Sequence, residues 1–251
     1  MNMLAEKLAR ARATARTLAL PEATGQLGSV ADAYRVQDAL AATSGPVRAW
    51  KVSALIPEQQ SGYPTDRPVA GPLFAPFCHD TPARLSAKDF VTPLIECEIA
   101  FLLGRDLPAR PQPYARAEIA EAVEALVPAI EIADCRWPSD APDLLKLADD
   151  MGNGAFIAGA PLRDWRGIDL AGRDVVLTRN GAEVERGPCA KILGDPLMGV
   201  VGLANAQPLP AGGLKRGQIV TTGTCITPAP MTAGAYVADF GELGRVEMTV
   251  D

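Results

Sequence analysis

The chain has 251 residues, 48% of them hydrophobic and 22% charged, which is enough for one large domain or two closely packed small ones. A net charge of -6 without a Lys/Arg cluster argues against nucleic acid as the main partner. No apolar run is long enough to cross a bilayer, and basic residues spread through the N-terminus make a signal peptide unexpected. The five widely spaced cysteines form no CxxC pair, which indicates reduced thiols and a cytoplasmic protein.

The predicted elements begin with two amphipathic helices, the second over residues 30–42 with Ser29 as its N-cap. A strand at 48–53 and a loop rich in Pro, Gly and Ser at 57–72 follow. The remaining predicted strands are 94–103, 129–133, 156–158, 175–179, 183–186, 218–222 and 246–250, with helices at 117–126 and 196–206 and a hairpin turn at Asn180-Gly181. This pattern indicates a mainly β core that carries helices at its N-terminus.

Two glutamates stand two residues apart inside the predicted strand 94–103. Alternate side chains of a strand share a face, so Glu96 and Glu98 point the same way. Glu131 lies in another apolar strand. Buried acids must be paired, protonated or metal-bound, and three carboxylates suit a hard cation such as Mg²⁺ or Mn²⁺. From spacing alone, pairing of these acids with Arg or Lys on a sheet surface is an equally open interpretation.

Several other stretches accompany the acidic strands, at residues 33–37, 50–52, 71–74, 147–149, 194–197, 222–224 and 238–241. Together, in family order over nearly the whole chain, these stretches resemble the fumarylacetoacetate hydrolase superfamily, in its branch of 2-oxopent-4-enoate hydratases and 4-oxalocrotonate decarboxylases. The resemblance implies an α+β fold with a mixed β-roll core and N-terminal helices. It also implies an N-terminal subdomain at 1–70 and a catalytic domain at 71–251, packed as one unit.

The resemblance assigns roles to particular side chains. It makes Glu96, Glu98 and Glu131 the ligands of Mg²⁺ or Mn²⁺, and it makes Lys51 face the bound substrate, where it binds the carboxylate or stabilises enolate charge. A lysine that merely reaches solvent from a strand end is the alternative for Lys51.

Further polar residues are expected around this centre. The candidates for substrate contact are Asn153, Thr222 and Thr224, although a tight turn without a ligand is equally open for the two threonines. Asp134 and Arg136 are expected to lie behind the metal ligands and orient them, with a surface ion pair as the alternative for Asp134.

The sequence departs from this branch just before Gly71, where the family usually carries an acid. Val69 and Ala70 offer no proton donor, and Asp66 or a water molecule is the candidate to move a proton instead. The single histidine, His79, lies beyond the N-terminal segment in which the hydrolase branches carry their His-Glu pair, so hydrolysis of a C–C bond is not expected.

The resemblance therefore implies a divalent-metal-dependent lyase of aromatic catabolism. Its substrate would be a small 2-oxo or 2-hydroxy-dienoic acid, which it would hydrate or decarboxylate through a stabilised enolate. The alternatives are a catalytically altered partner subunit of a hydratase–decarboxylase complex, and a 2-oxo acid tautomerase or oxaloacetate decarboxylase. A homo-oligomer is expected, with a partner enzyme of the same pathway as a further candidate and without nucleic acid or membrane partners.

Overall fold

The computed structural model describes residues 2–23, 27–191 and 193–251. Its helices are α1 (Met3–Ala13), α2 (Val30–Ser44), α3 (Pro57–Gln60), α4 (Arg116–Ala122), α5 (Asp143–Ala148) and α6 (Leu197–Asn205). Its strands are β1 (Val47–Ser53), β2 (Val69–Phe74), β3 (Cys78–Asp80), β4 (Ala83–Leu85), β5 (Leu94–Leu103), β6 (Val123–Ala133), β7 (Asn153–Ala158), β8 (Asp174–Arg179), β9 (Ala182–Pro188), β10 (Ile219–Thr224), β11 (Ala229–Pro230), β12 (Gly234–Asp239) and β13 (Arg245–Val250).

The described strands form two mixed sheets. The larger sheet has the order β2-β1-β10-β5-β6-β7-β3, with β11 added on β5, and the smaller has the order β4-β13-β12-β8-β9. Parallel pairs, such as β1 with β10 and β3 with β7, stand beside antiparallel ones, such as β5 with β6. This architecture confirms the predicted α+β fold with a mixed β core and N-terminal helices. In the described ranges, no helix combines the length and the apolar character needed to cross a bilayer.

The two faces of the larger sheet carry different side chains. One face places large apolar residues of β5, such as Ile99 and Phe101, in a core shared with the smaller sheet and with α6. The opposite face carries a smaller cluster that includes Ala49, Ala100 and Ala129. Because alternate residues of a strand share a face, the acids of β5 lie on the second side, where the small residues leave room.

The N-terminal helices form a separate apolar cluster with α5. Helix α2 begins as predicted: the Ser29 hydroxyl accepts the backbone N–H of Asp32 at 3.2 Å, and it donates to the Asp32 carboxylate at 2.8 Å. The hairpin predicted at Asn180-Gly181 joins β8 to β9, with φ values of 51° and 82° at those two residues.

Two of the predicted elements differ from the structure in more than the position of their ends. The helix predicted over 117–126 ends at Ala122, and the chain continues directly as β6, because pairing of β6 with β5 and β7 outweighs local helix preference. The loop predicted over 57–72 contains the short helix α3 and the start of the fully buried strand β2. This strand was not predicted because Gly71 and Pro72 are residues that usually indicate a turn or loop. The predicted domain boundary at 70/71 lies within β2, and it stays a prediction.

Candidate metal and substrate site

Three carboxylates meet on the small-residue face of the larger sheet. In the register between β5 and β6, Glu96 lies directly opposite Glu131, and Glu98 follows two residues along on the same face. Carboxylate oxygens of the three residues lie within 4.8 Å of one another. The Glu131 Oε2 atom is buried and has no hydrogen-bond partner. A cluster of oxygen ligands with an unused, buried acceptor is suited to a hard divalent cation.

Without a cation, burial and mutual repulsion disfavour the ionised forms of the clustered carboxylates. Burial, partly offset by Lys51, raises the pKa of Glu96 to about 7. Burial and the neighbouring charges of Glu131 and Glu96 raise the pKa of Glu98 to about 8. A bound cation removes this penalty, because it neutralises the ionised carboxylates.

Lys51 and Asn153 both contact one oxygen of Glu131. The Lys51 ammonium on β1 lies 2.5 Å from Glu131 Oε1, and the Asn153 side-chain amide on β7 donates to the same oxygen at 3.2 Å. Burial lowers the pKa of Lys51, but attraction by Glu131 and Glu96 outweighs it and raises the pKa above its ordinary value. Lys51 is therefore charged, and Glu131 keeps its second oxygen available for a ligand.

Glu98 is held by the end of β10. The Thr221 hydroxyl and the Gly223 backbone N–H, the latter at 2.8 Å, both donate to Glu98 Oε2. Thr221 lies beside Lys51 in the parallel pairing of β1 with β10. These two donors fix the orientation of the carboxylate.

Thr222 is turned away from the carboxylates. Its hydroxyl donates to the Ile99 carbonyl at 2.7 Å. Its side chain packs against Gly199 of α6 so closely that a Cβ added to Gly199 would lie 3.0 Å from the Thr222 Cβ. Alternation along β10 places Thr221, and not Thr222, on the side of the carboxylates. Contact of Thr222 with a substrate stays a prediction. The Thr224 hydroxyl accepts the Ile226 N–H at 3.3 Å, so it closes the turn after β10.

Asp134 and Arg136 lie in the buried region behind β6 and β7. The Asp134 carboxylate accepts the backbone N–H groups of Val91 and Thr92, at 3.0 and 2.7 Å, which excludes a surface ion pair. Arg136 forms a buried ion pair with Asp149 at 2.6 Å and donates to the Asn153 carbonyl at 2.6 Å. Arg136 therefore reaches Glu131 only through Asn153, and the orienting roles of both residues stay predictions.

The structure does not bring Asp66 into the carboxylate cluster. Asp66 is exposed in the loop between α3 and β2, and its carboxylate makes no hydrogen bond or ion pair with the described residues. Val69 and Ala70 are fully buried in β2. Proton transfer by Asp66 therefore stays a prediction.

In the metal-free protein, the free energy of unfolding is expected to fall as the pH rises from about 5 to about 8. The folded chain keeps protons on Glu96 and Glu98 that the unfolded chain, with a carboxyl pKa near 4.5, has already lost. Their stabilising contribution is present at low pH and is lost as the pH rises through 7 and 8. Urea denaturation in the presence of a chelator measures the slope. Glu98→Gln should make the pH dependence of the unfolding free energy less steep. An unchanged slope in that variant would contradict the raised pKa of Glu98 in the folded chain.

Residues 69–251 match the family model described as Fumarylacetoacetate (FAA) hydrolase C-terminal. Over 255 aligned residues, the chain is 31% identical to a 2-keto-4-pentenoate hydratase of Burkholderia vietnamiensis (strain G4), with 98% of this chain and 95% of the relative covered. The chain belongs to the fumarylacetoacetate hydrolase family.

Solved structures share this family fold. A 4-oxalocrotonate decarboxylase from Pseudomonas putida G7, complexed with magnesium and adipate, superposes with a TM-score of 0.83 at 23% sequence identity. The match covers 99% of this chain and 96% of the decarboxylase chain. A fumarylpyruvate hydrolase from Pseudomonas aeruginosa in complex with Mn²⁺ and pyruvate superposes with a TM-score of 0.58 at 14% identity, over 82% of this chain and 89% of its own. The first match includes the N-terminal helices.

In this fumarylacetoacetate hydrolase family member, sequence reasoning missed Thr221 and Gly223 as partners of Glu98. The available signal was the run Thr221-Thr222-Gly223-Thr224 at a strand end. Because side chains alternate along a strand, Thr221 and Thr222 must face opposite sides of the sheet. Which of the two faces Glu98 is decided by the register of β10 against β5.

Proposed function

We propose that this protein is a divalent-metal-dependent lyase that hydrates or decarboxylates a small 2-oxo or 2-hydroxy-dienoic acid. The observation that carries the proposal is the convergence of Glu96, Glu98 and Glu131, with an unpaired buried oxygen on Glu131 beside the Lys51 ammonium. The relative named as a 2-keto-4-pentenoate hydratase and the fold neighbour named as a 4-oxalocrotonate decarboxylase support this reaction class.

The three glutamates would hold Mg²⁺ or Mn²⁺, the cations that a carboxylate-only ligand set favours. A divalent cation at this place supplies positive charge that polarises a 2-oxo group and its neighbouring carboxylate. Lys51, charged and next to Glu131, would bind the substrate carboxylate or the oxygen on which negative charge develops. Asn153 and Thr221 would keep Glu131 and Glu98 in place.

The proton donor separates the two proposed reactions. Hydration requires a proton to be delivered to a carbon atom, and β2 offers only the buried apolar side chains of Val69 and Ala70. Asp66 would have to approach from its exposed loop, or a water molecule would take this role. Decarboxylation asks less of the chain, because the bond to CO₂ breaks as electrons move to the polarised oxygen and solvent can protonate the product.

The same apolar pair motivates a second candidate function, a partner or binding subunit of a hydratase–decarboxylase complex. Such a subunit would keep the carboxylate cluster and lose turnover. A 2-oxo acid tautomerase or oxaloacetate decarboxylase would need only the cation and Lys51. We also propose a homo-oligomer, as the resemblance to this family implies.

The test uses the purified full chain, stripped with a chelator and reloaded with Mg²⁺ or Mn²⁺. We expect metal-dependent loss of the ultraviolet absorbance of 2-hydroxypenta-2,4-dienoate or of 4-oxalocrotonate, with CO₂ release identifying decarboxylation. Oxaloacetate serves as the substrate for the simpler enolate chemistry. If no 2-oxo acid is consumed faster than with the metal alone, the lyase proposal fails and the partner subunit is favoured.

A further inference from the structure

We infer that Arg12, on helix α1, is a positioning residue for the metal-binding carboxylates, because it holds the backbone at Asn153, whose side chain contacts Glu131. The inference rests on the proposed metal site. Arg12 lies outside residues 69–251, which the family model matches, and it brings the N-terminal helix into contact with the region behind the site.

Arg12 reaches across the fold to the start of β7. Its guanidinium donates to the Asn153 carbonyl at 2.6 Å and to the Gly154 carbonyl at 3.1 Å. It also lies 4.2 Å from the centroid of the Phe77 ring and 3.5 Å from an Asp150 carboxylate oxygen. A planar guanidinium can make these contacts simultaneously, whereas the compact ammonium of a lysine cannot match their geometry.

A second arginine, which is fully buried, converges on the same carbonyl. Arg136 donates to the Asn153 carbonyl at 2.6 Å while it pairs with Asp149. Two guanidinium groups on one acceptor repel each other, and the burial of Arg136, Asp149 and Asp150 is costly even when the charges are paired. Two arginines that donate to one backbone carbonyl despite their mutual repulsion indicate that the position of Asn153 serves the site and not only the stability of the fold.

The backbone that leads into Asn153 is strained. Asp150, Met151 and Gly152 have φ values of 50°, 57° and 68°, all in the left-handed region, where two of the three residues are unfavourable. Gly71 of β2 approaches this turn so closely that an added Cβ would lie 2.7 Å from the Asp150 carbonyl oxygen. Such a turn persists only if its surroundings hold it, and the two arginines hold the end that carries Asn153.

The consequence for the site follows from the hydrogen bond between Asn153 and Glu131 Oε1. This bond and Lys51 occupy one oxygen of Glu131 and leave the other free in the cluster. Without Arg12, the left-handed turn can relax and move Asn153 away from Glu131. Loss of a residue behind a metal ligand typically lowers metal affinity by about 10- to 100-fold, and we expect about 10-fold for Arg12, which acts through Asn153.

The test measures binding of Mn²⁺ alone to the full chain by electron paramagnetic resonance. Arg12→Ala should raise the Kd about 10-fold, and Arg12→Lys should give a smaller increase. Arg12 borders two cavities of about 400 and 290 Å³. Millimolar methylguanidinium should therefore enter the Arg12→Ala variant and restore affinity, which a general loss of stability would not allow.

Arg110→Ala is the matched control. Arg110 also stacks on an aromatic ring, that of Tyr114, and pairs with an acid, Glu118, but it makes no described contact with the carboxylate cluster. We expect an unchanged Kd and no response to methylguanidinium. Circular dichroism checks that each variant is folded, and Arg12→Lys tests the inference if the alanine variant is not.

The outcomes separate this inference from the proposed function. If the wild-type chain does not bind Mn²⁺, or if Glu131→Gln binds it equally well, the metal site itself is wrong. If the wild type binds Mn²⁺ through Glu131 and the Arg12 variants bind it with the same Kd, only the positioning role is overturned. Weaker binding without methylguanidinium rescue also overturns it, since the missing guanidinium is then not the cause.

Discussion

Glu131→Gln is expected to abolish stoichiometric binding of Mg²⁺ or Mn²⁺ and to lower turnover of the 2-oxo acid substrate by more than about a hundred-fold. Loss of a residue that only supports a metal ligand lowers affinity or activity by up to about a hundred-fold, and loss of a ligand should cost more. Glutamine keeps the volume of the side chain but lacks the negative charge that a divalent cation requires. Glu131 is the member of the cluster that is completely buried and carries the unpaired Oε2. Isothermal titration with each cation and steady-state kinetics measure the two effects.

Glu124→Gln is the matched control for this substitution. Glu124 lies on the same strand, β6, but its carboxylate pairs with Arg163 at the surface. The control variant should bind the cation and turn over substrate as the wild type does. If Glu131→Gln retained stoichiometric metal binding, the assignment of the three carboxylates as ligands would be wrong.

Lys51→Met is expected to lower kcat by about 10²- to 10³-fold, the usual cost of removing one group that stabilises developing negative charge. Metal affinity should not fall with it. The Lys51 ammonium lies 2.5 Å from Glu131 Oε1 and would repel a cation at the same carboxylate, so its removal is expected to leave the Kd for Mn²⁺ unchanged or lower it. Kinetics at saturating metal, together with a metal titration, separate the two quantities.

Lys146→Met supplies the comparison for Lys51. Lys146 is a partly exposed lysine on α5 that pairs with Asp143, and its loss should change neither kcat nor metal affinity. A fall in kcat for Lys51→Met that disappears at higher metal concentration would show that Lys51 serves metal binding, which is the opposite of the expected separation.

Features that depend on neighbouring residues were readable from the sequence. The bounds of β5 match the predicted strand 94–103, and period-two alternation correctly places Glu96 and Glu98 on one face. The Ser29 cap and the Asn180-Gly181 hairpin also follow from chemistry within a few residues. In each case the interacting groups are close along the chain, so their spacing carries the information.

Spacing alone left open whether Glu131 joins Glu96 and Glu98 at a cation or whether each acid pairs with Arg or Lys, and the family resemblance favoured the shared metal site. It also carried the fold, because a family pattern summarises long-range pairing that a single periodicity does not record. It did not locate a replacement for the acid missing before Gly71, and Asp66 remains exposed in its loop.

Pairing between distant strands settled the remaining features of the site. The register of β5 against β6 puts Glu96 opposite Glu131, and the register of β10 selects Thr221 over Thr222, since a slip of one residue would exchange the two faces. Arg12 meets Asn153 across 141 positions of the chain. Contacts between residues so far apart in the chain form only when whole elements pack together, so no local pattern of residues predicts them.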